Sequence, residues 1–179
     1  MRHVYAVQGP KDVNYAGREI GNSKLAAHLV GYADPVSKIY LAAHSSGALV
    51  AHELLQQLTV GGLDPAGVTA KKIAYYNLDG TGSGFGATQA AHLAKLAFVY
   101  ARNGATSSAN AAKMKSLPGT YAGSTAVEID ASASGCQAGA VWCLHDAVII
   151  DRPHDPTQYD LERDYQLFDG GRRVVLSYF

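Results

Sequence analysis

The segment Lys38-Ile39-Tyr40-Leu41-Ala42-Ala43-His44-Ser45-Ser46-Gly47-Ala48-Leu49-Val50-Ala51-His52-Glu53-Leu54 constrains this chain more than any other. An apolar strand runs straight into a small-x-Ser-x-Gly turn, and a helix with an apolar face follows at once. So short a turn holds its apex residue, Ser45, in a strained backbone conformation. Small neighbours at Ala43 and Gly47 let strand and helix approach closely. The Ser45 hydroxyl then projects at the carboxyl edge of a sheet, where open α/β folds bind ligands. The N–H of Ser46 lies at a helix N-terminus, which favours developing negative charge. The structural alternative is that Ser45 merely caps a helix over 46–58, since serine is a favoured N-cap.

The rest of the chain repeats the strand-then-helix theme. Short apolar runs rich in β-branched and aromatic residues fall at 4–7, 39–43, 73–78, 97–101 and 125–129, with a last one at 173–178. Without polar alternation they read as strands buried on both faces. Between them, 22–32, 46–58 and 88–96 carry apolar residues at helical spacing, and 146–150 and 159–168 do so more weakly. This alternation implies βαβ units. The expected fold is α/β, a three-layer sandwich with a mostly parallel central sheet, in one domain over residues 1–179. No internal repeat or interdomain linker is visible. The Ala/Ser/Asn-rich segment 105–112 is compositionally biased.

Charge narrows the partners. Lys and Arg number 15 and Asp and Glu number 15, so the chain is formally neutral. It has no general electrostatic grip on nucleic acid or on an anionic membrane surface. No run of about 18 apolar residues suggests a membrane span. Cys136 and Cys143 share one Gly/Ser/Ala-rich loop and are a plausible disulfide. That pairing would place the chain in a secreted or periplasmic compartment. Two reduced thiols in a cytoplasmic protein are the alternative. A zinc site at the cysteines lacks ligands.

A nucleophilic serine needs a base and an acid to orient that base. His145, in Trp142-Cys143-Leu144-His145-Asp146, follows the run at 125–129 and precedes an apolar run. His154 is its rival. His44 adjoins the nucleophile in a supporting place. His28, His52 and His92 fall on helices as surface or core-edge residues, and His3 comes too early. Asp79 ends the run at 73–78 before a Gly-rich loop, where a carboxylate can accept the imidazole N–H and fix its tautomer. Asp79 also reads as a plain turn residue before glycine. Asp130 is the runner-up, and Asp146, next to His145, should point elsewhere.

With Ala43-His44-Ser45-Ser46-Gly47, Asp79 and His145 in this order, the chain resembles the small lidless bacterial lipase and esterase branch of the α/β-hydrolase superfamily. Cutinases share the size class and a disulfide near the catalytic loops. The resemblance implies a carboxylic ester hydrolase with the triad Ser45, Asp79 and His145, working through an acyl-enzyme without cofactor or metal. Its substrate would be a small-molecule or lipid ester. His44, Tyr15 and Trp142 would contact the substrate, and Tyr75 and Tyr76 could join the acyl groove. One departure stands out. The family's upstream strand ends in a His-Gly-type loop that supplies a second oxyanion N–H, and no such loop is found. Either Gln8-Gly9 supplies it, with Ser46 as the other donor, or the sheet is N-terminally shortened. Losing one donor costs on the order of 3 kcal/mol of transition-state stabilisation. Two alternatives stand beside the esterase: a non-catalytic α/β-hydrolase-like binding domain, and an amidase or thioesterase on the same triad. An exposed sheet edge would allow a homodimer.

Overall fold

The computed structural model describes residues 25–31, 38–60, 62–64 and 67–149. Five strands occur there: β1 (Ile39–His44), β2 (Ile73–Leu78), β3 (Lys95–Asn103), β4 (Thr106–Ser107) and β5 (Thr125–Asp130). The helices are α1 (25–31), α2 (Gly47–Thr59), α3 (Ala87–His92), α4 (Ala111–Ser116) and α5 (Val141–Ala147). Strands β1, β2, β3 and β5 lie side by side and parallel, and β4 folds back antiparallel to β3. Arg102 pairs with both Ser107 and Asp130, so β4 and β5 flank opposite edges of β3. β4 thereby prolongs the β2 side of β3 past the point where β2 ends.

Strand alternation divides the apolar residues between two layers. Leu41, Ala43, Ile73, Tyr75, Leu96, Phe98 and Tyr100 face α2 and α4, with Leu54, Leu55, Leu58 and Met114 packed against them. Ala74, Tyr76, Leu78, Ala97, Val99 and Ala101 face the other way, onto Leu144, Ala147 and Val148 of α5 and its flank. The α/β architecture with a mostly parallel sheet is therefore as expected. The double burial expected of every strand holds for β2 and most of β3 only. β1 exposes Tyr40 and Ala42, β5 is half-buried only at Val127 and Ile129, and both are edge strands among the described residues.

Two helix boundaries differ from expectation. The helix expected over 88–96 ends at His92, because Leu93 is already extended and Ala94 N–H donates to Ile73 O at 2.9 Å, opening the ladder with β2. Pairing and burial of Leu96 override the local helical spacing. The biased segment 105–112 supplies β4 and the start of α4, which buries Ala111 and Met114. The helix expected from 146 begins instead at Val141, so His145 sits on a helix rather than ahead of one. The strands expected at 4–7 and 173–178, the helix at 159–168, and His3, Gln8, Gly9, Tyr15 and His154 lie outside the described residues.

His52, expected at the surface or core edge, lies in the core. Positions 48, 51, 52 and 55 share one face of α2, and all are buried. The carbonyl of Ser83 can only accept, so His52 donates through Nδ1 at 2.6 Å. Its Nε2 is then the acceptor for the Tyr75 hydroxyl at 2.9 Å. Burial keeps the Tyr75 phenol protonated, pushing it well above its usual range. Burial also pushes the His52 imidazole down to about 4, against the opposing hydrogen bond to Ser83. The unfolded chain takes up this proton near pH 6.5, the folded chain only near 4. The stabilisation is thus complete above pH 6.5 and is lost as pH falls towards 4, by on the order of 3 kcal/mol. Denaturant titrations across that range should show the loss, and His52→Gln, which keeps a donor and an acceptor but takes no proton, should flatten it.

Candidate active site

Two residues other than glycine adopt positive φ among the described residues: Ser45 at 55° and Asp79 at 44°. Each is the first residue past a parallel strand. Ser45 N–H still bonds to Leu78 O at 3.3 Å, and Asp79 N–H to Val99 O at 2.7 Å. Each turn thus prolongs its ladder by one bond before the chain swings away. The register pairs His44 with Leu78, so Ser45 and Asp79 stand side by side at the carboxyl edge of the sheet. Conformations of this kind cost about 1–3 kcal/mol each and persist where surroundings enforce them. Ser45 does not cap α2. That place belongs to Ser46, whose N–H lies at the helix's positive end. Gly80 completes the fit. A Cβ there would meet Asn77 Oδ1 at 2.6 Å, Ala48 Cβ at 2.7 Å and Ser45 O at 2.9 Å. Asn77 closes the turn by accepting from Gly80 N–H and donating to Thr81 O.

Asp79 is fully buried and fully engaged. Its Oδ2 lies 2.7 Å from His145 Nδ1 and also accepts from Asn110 N–H at 3.2 Å. Its Oδ1 accepts from the Ser108 hydroxyl at 2.7 Å, and its backbone carbonyl from Asn110 Nδ2 at 2.6 Å. Ser108 Oγ in turn accepts from Ala101 N–H. The carboxylate can only accept, so His145 carries its proton on Nδ1 and presents the Nε2 lone pair. His145 is 5% exposed. The turn reading of Asp79 is therefore incomplete: the residue is in a turn, and it also holds His145. Asp130 plays no such part, since its carboxylate is exposed and accepts from Ser132 N–H and Oγ. Those bonds, the hydroxyl's foremost, hold it below the usual carboxylate range.

The last turn of α5 is pinned from both ends of the pair. His44 Nε2 lies 2.9 Å from the His145 carbonyl and must donate to it. The two imidazoles pack at 4.4 Å between centroids. Burial, then the neighbouring His145, lowers the His44 pKa against the opposing effect of that hydrogen bond and of Asp146 and Asp79. Cys136 and Cys143 are joined in a disulfide, two residues before His145. The expected pairing of the two cysteines is therefore present and closes the loop before α5. That loop is also held by a short 3-10 turn over Ser132–Ser134 and by Asn103 Nδ2 donating to Cys136 O.

Trp142 sets its ring edge against His145 at 5.4 Å and is 67% exposed, open to a ligand. Tyr75 and Tyr76 line no groove, because both are buried in the core. Asp146 does not point elsewhere. A carboxylate oxygen of Asp146 and one ring nitrogen each of His44 and His145 lie within 4.8 Å of one another. His28 is half-buried on α1, and His92 is likewise half-buried and bonds within its own helix.

The structure thus joins Asp79 to His145 and brings His44 and Trp142 against the same ring. It does not hydrogen-bond Ser45 Oγ to His145 among the described residues. Such bonds are often long without substrate and tighten in the complex. Ser108 and Asn110 are the contributors that sequence reasoning missed. The one available signal was an Asn-Ala-Ala helix start, which points to capping and not to Asp79. Comparison with family models, with curated proteins and with solved structures returns no match.

Two substitutions test this geometry. Gly80→Ala forces the turn against backbone and core and should cost about 1–3 kcal/mol in denaturant unfolding. Ser108→Ala leaves the buried Asp79 Oδ1 without its hydroxyl and should cost a similar ~1–3 kcal/mol. Ser116→Ala, which removes an exposed bond to Lys113 O, should stay within about 0.5 kcal/mol of wild type.

Proposed function

We propose that this chain is a serine hydrolase of the α/β-hydrolase kind that cleaves carboxylic esters. The observation that carries the reading is the buried Asp79–His145 pair beside the strained Ser45 turn, on neighbouring strand ends. The resemblance in motif and chain order supports it independently.

In this reading Ser45 Oγ attacks the ester carbonyl carbon. His145 Nε2 takes the hydroxyl proton as the C–O bond to serine forms. The tetrahedral oxyanion receives a hydrogen bond from Ser46 N–H, backed by the positive end of α2. Collapse breaks the bond to the leaving alcohol, and His145 returns the proton to its oxygen. Water then attacks the acyl-enzyme by the same steps and frees the acid. Asp79 accepts the hydrogen bond from His145 Nδ1–H throughout and stabilises the imidazolium. Trp142, exposed against the base, stands where a substrate would meet the ring.

The disulfide supports an oxidising compartment, secreted or periplasmic. No helix among the described residues is long and apolar enough to cross a membrane.

A fluorophosphonate probe should label the folded chain covalently, and Ser45→Ala should abolish the label. Asp79→Asn, which disturbs the His145 tautomer, should slow labelling by about 10³–10⁴-fold. A folded sample that takes no label would leave the binding-domain reading in its place. Parallel assays with matched ester, thioester and amide substrates should show the ester cleaved fastest.

A further inference from the structure

We propose that His44, His145 and Asp146 form a binding site for a Zn²⁺-class transition-metal ion, and that an ion held there silences the Ser45 centre. One ligand atom from each of the three lies within 4.8 Å of the other two, and the group is half-buried at the carboxyl edge of the sheet. The triad makes no use of Asp146.

The hydrogen bonds around the two rings are those that prepare imidazoles for a metal. His44 donates through Nε2 to a backbone carbonyl, and His145 donates through Nδ1 to a carboxylate. Metal-binding histidines almost always spend their second nitrogen in one of these two ways, which fixes ring orientation and makes the other nitrogen more basic. By elimination, His44 Nδ1 and His145 Nε2 are the nitrogens left with lone pairs. Asp146 follows His145 on α5 and adds an anionic oxygen.

Two imidazoles and one carboxylate suit zinc, copper or nickel, and not magnesium or calcium, which favour all-oxygen shells. Three protein ligands leave the fourth tetrahedral position to water. Bonds of about 2 Å require ligand atoms roughly 3.4 Å apart, so the cluster must tighten by up to about 1.4 Å. An ion on Nε2 occupies the lone pair that would take the Ser45 proton. No bond is broken and no electron moves. The binding itself is independent of the proposed hydrolase activity, whereas the silencing rests on that reading.

The test uses the full chain, freed of metal with a chelator. Calorimetric titration with Zn²⁺ should show one ion bound per chain. His44→Asn and Asp146→Asn should each weaken that binding by roughly tenfold or more. Zn²⁺ should slow fluorophosphonate labelling, EDTA should restore it, and Mg²⁺ should have no effect. Asp146→Asn, measured against its own metal-free labelling rate, should need correspondingly more Zn²⁺ for the same fractional inhibition. No saturable Zn²⁺ uptake at millimolar concentration, uptake indifferent to both substitutions, or labelling that Zn²⁺ leaves unchanged or accelerates would each overturn the proposal. Failure of the hydrolase reading shows differently, as a folded, metal-free chain that never labels, whatever the calorimetry records.

Discussion

A carboxylate with no exposed surface is tolerable in a protein only if donors replace the water it has lost. Asp79 meets that demand from two separate stretches of chain: Ser108 and Asn110, between β4 and α4, and His145 on α5. None of these is its neighbour in sequence. The buried charge therefore acts as a joint. The β3–β4 hairpin, α4 and α5 must all be home before Asp79 is satisfied, and removing any one leaves an ion in an apolar layer. This accounts for a feature that is otherwise odd, the antiparallel β4 of Thr106–Ser107 in a parallel sheet. It carries the chain back so that Ser108 N–H reaches Ala101 O and its hydroxyl reaches Asp79.

Parallel register does the remaining positioning. Neighbouring parallel strands that end level present their following turns at one edge. β1 and β2 end level, His44 against Leu78, and both turns take positive φ. Strain at two adjacent turns is sustained because each N–H stays on the neighbouring ladder and because Gly80 leaves room for Ser45 O and Ala48. A sheet slipped by one residue would reverse the faces of β1 and separate the two turns.

Much of this was legible in the chain, and the limits are physical. The run 73–78 is apolar on both faces and became β2 with those limits. The small-x-Ser-x-Gly turn announced the β1–α2 junction to within a residue. The order Asp79 then His145 matched a motif, and the structure brings the two into contact. What escaped depends on tertiary context. The helical spacing of 88–96 yielded at Leu93 to pairing with β2. His52 reads as polar on a helix, and only the Ser83 carbonyl and the Tyr75 hydroxyl arriving from elsewhere make it a core residue. Ser108 and Asn110 sit in the Ala/Ser/Asn-rich stretch 105–112, where nothing local distinguishes a serine that will meet Asp79 from one that will meet water.

Placement of His145 is the least local feature of all. α5 spans Val141–Ala147, well short of the roughly 12–15 residues that an isolated helix needs to be even marginal in water. It has no side-chain N-cap, and its first turn carries no acidic residue to offset the helix dipole. Its stability must come from attachment. Leu144, Ala147 and Val148 pack on β2 and β3, the disulfide holds its first turn to Cys136, and His44 bonds the carbonyl of its last turn. His44 is also the residue before Ser45. The strand that delivers the serine thus grips the helix that delivers the histidine, across 101 positions of sequence. Displacement of α5 would take the imidazole off Asp79, so the Asp79–His145 pair is tied to the docking of one short helix.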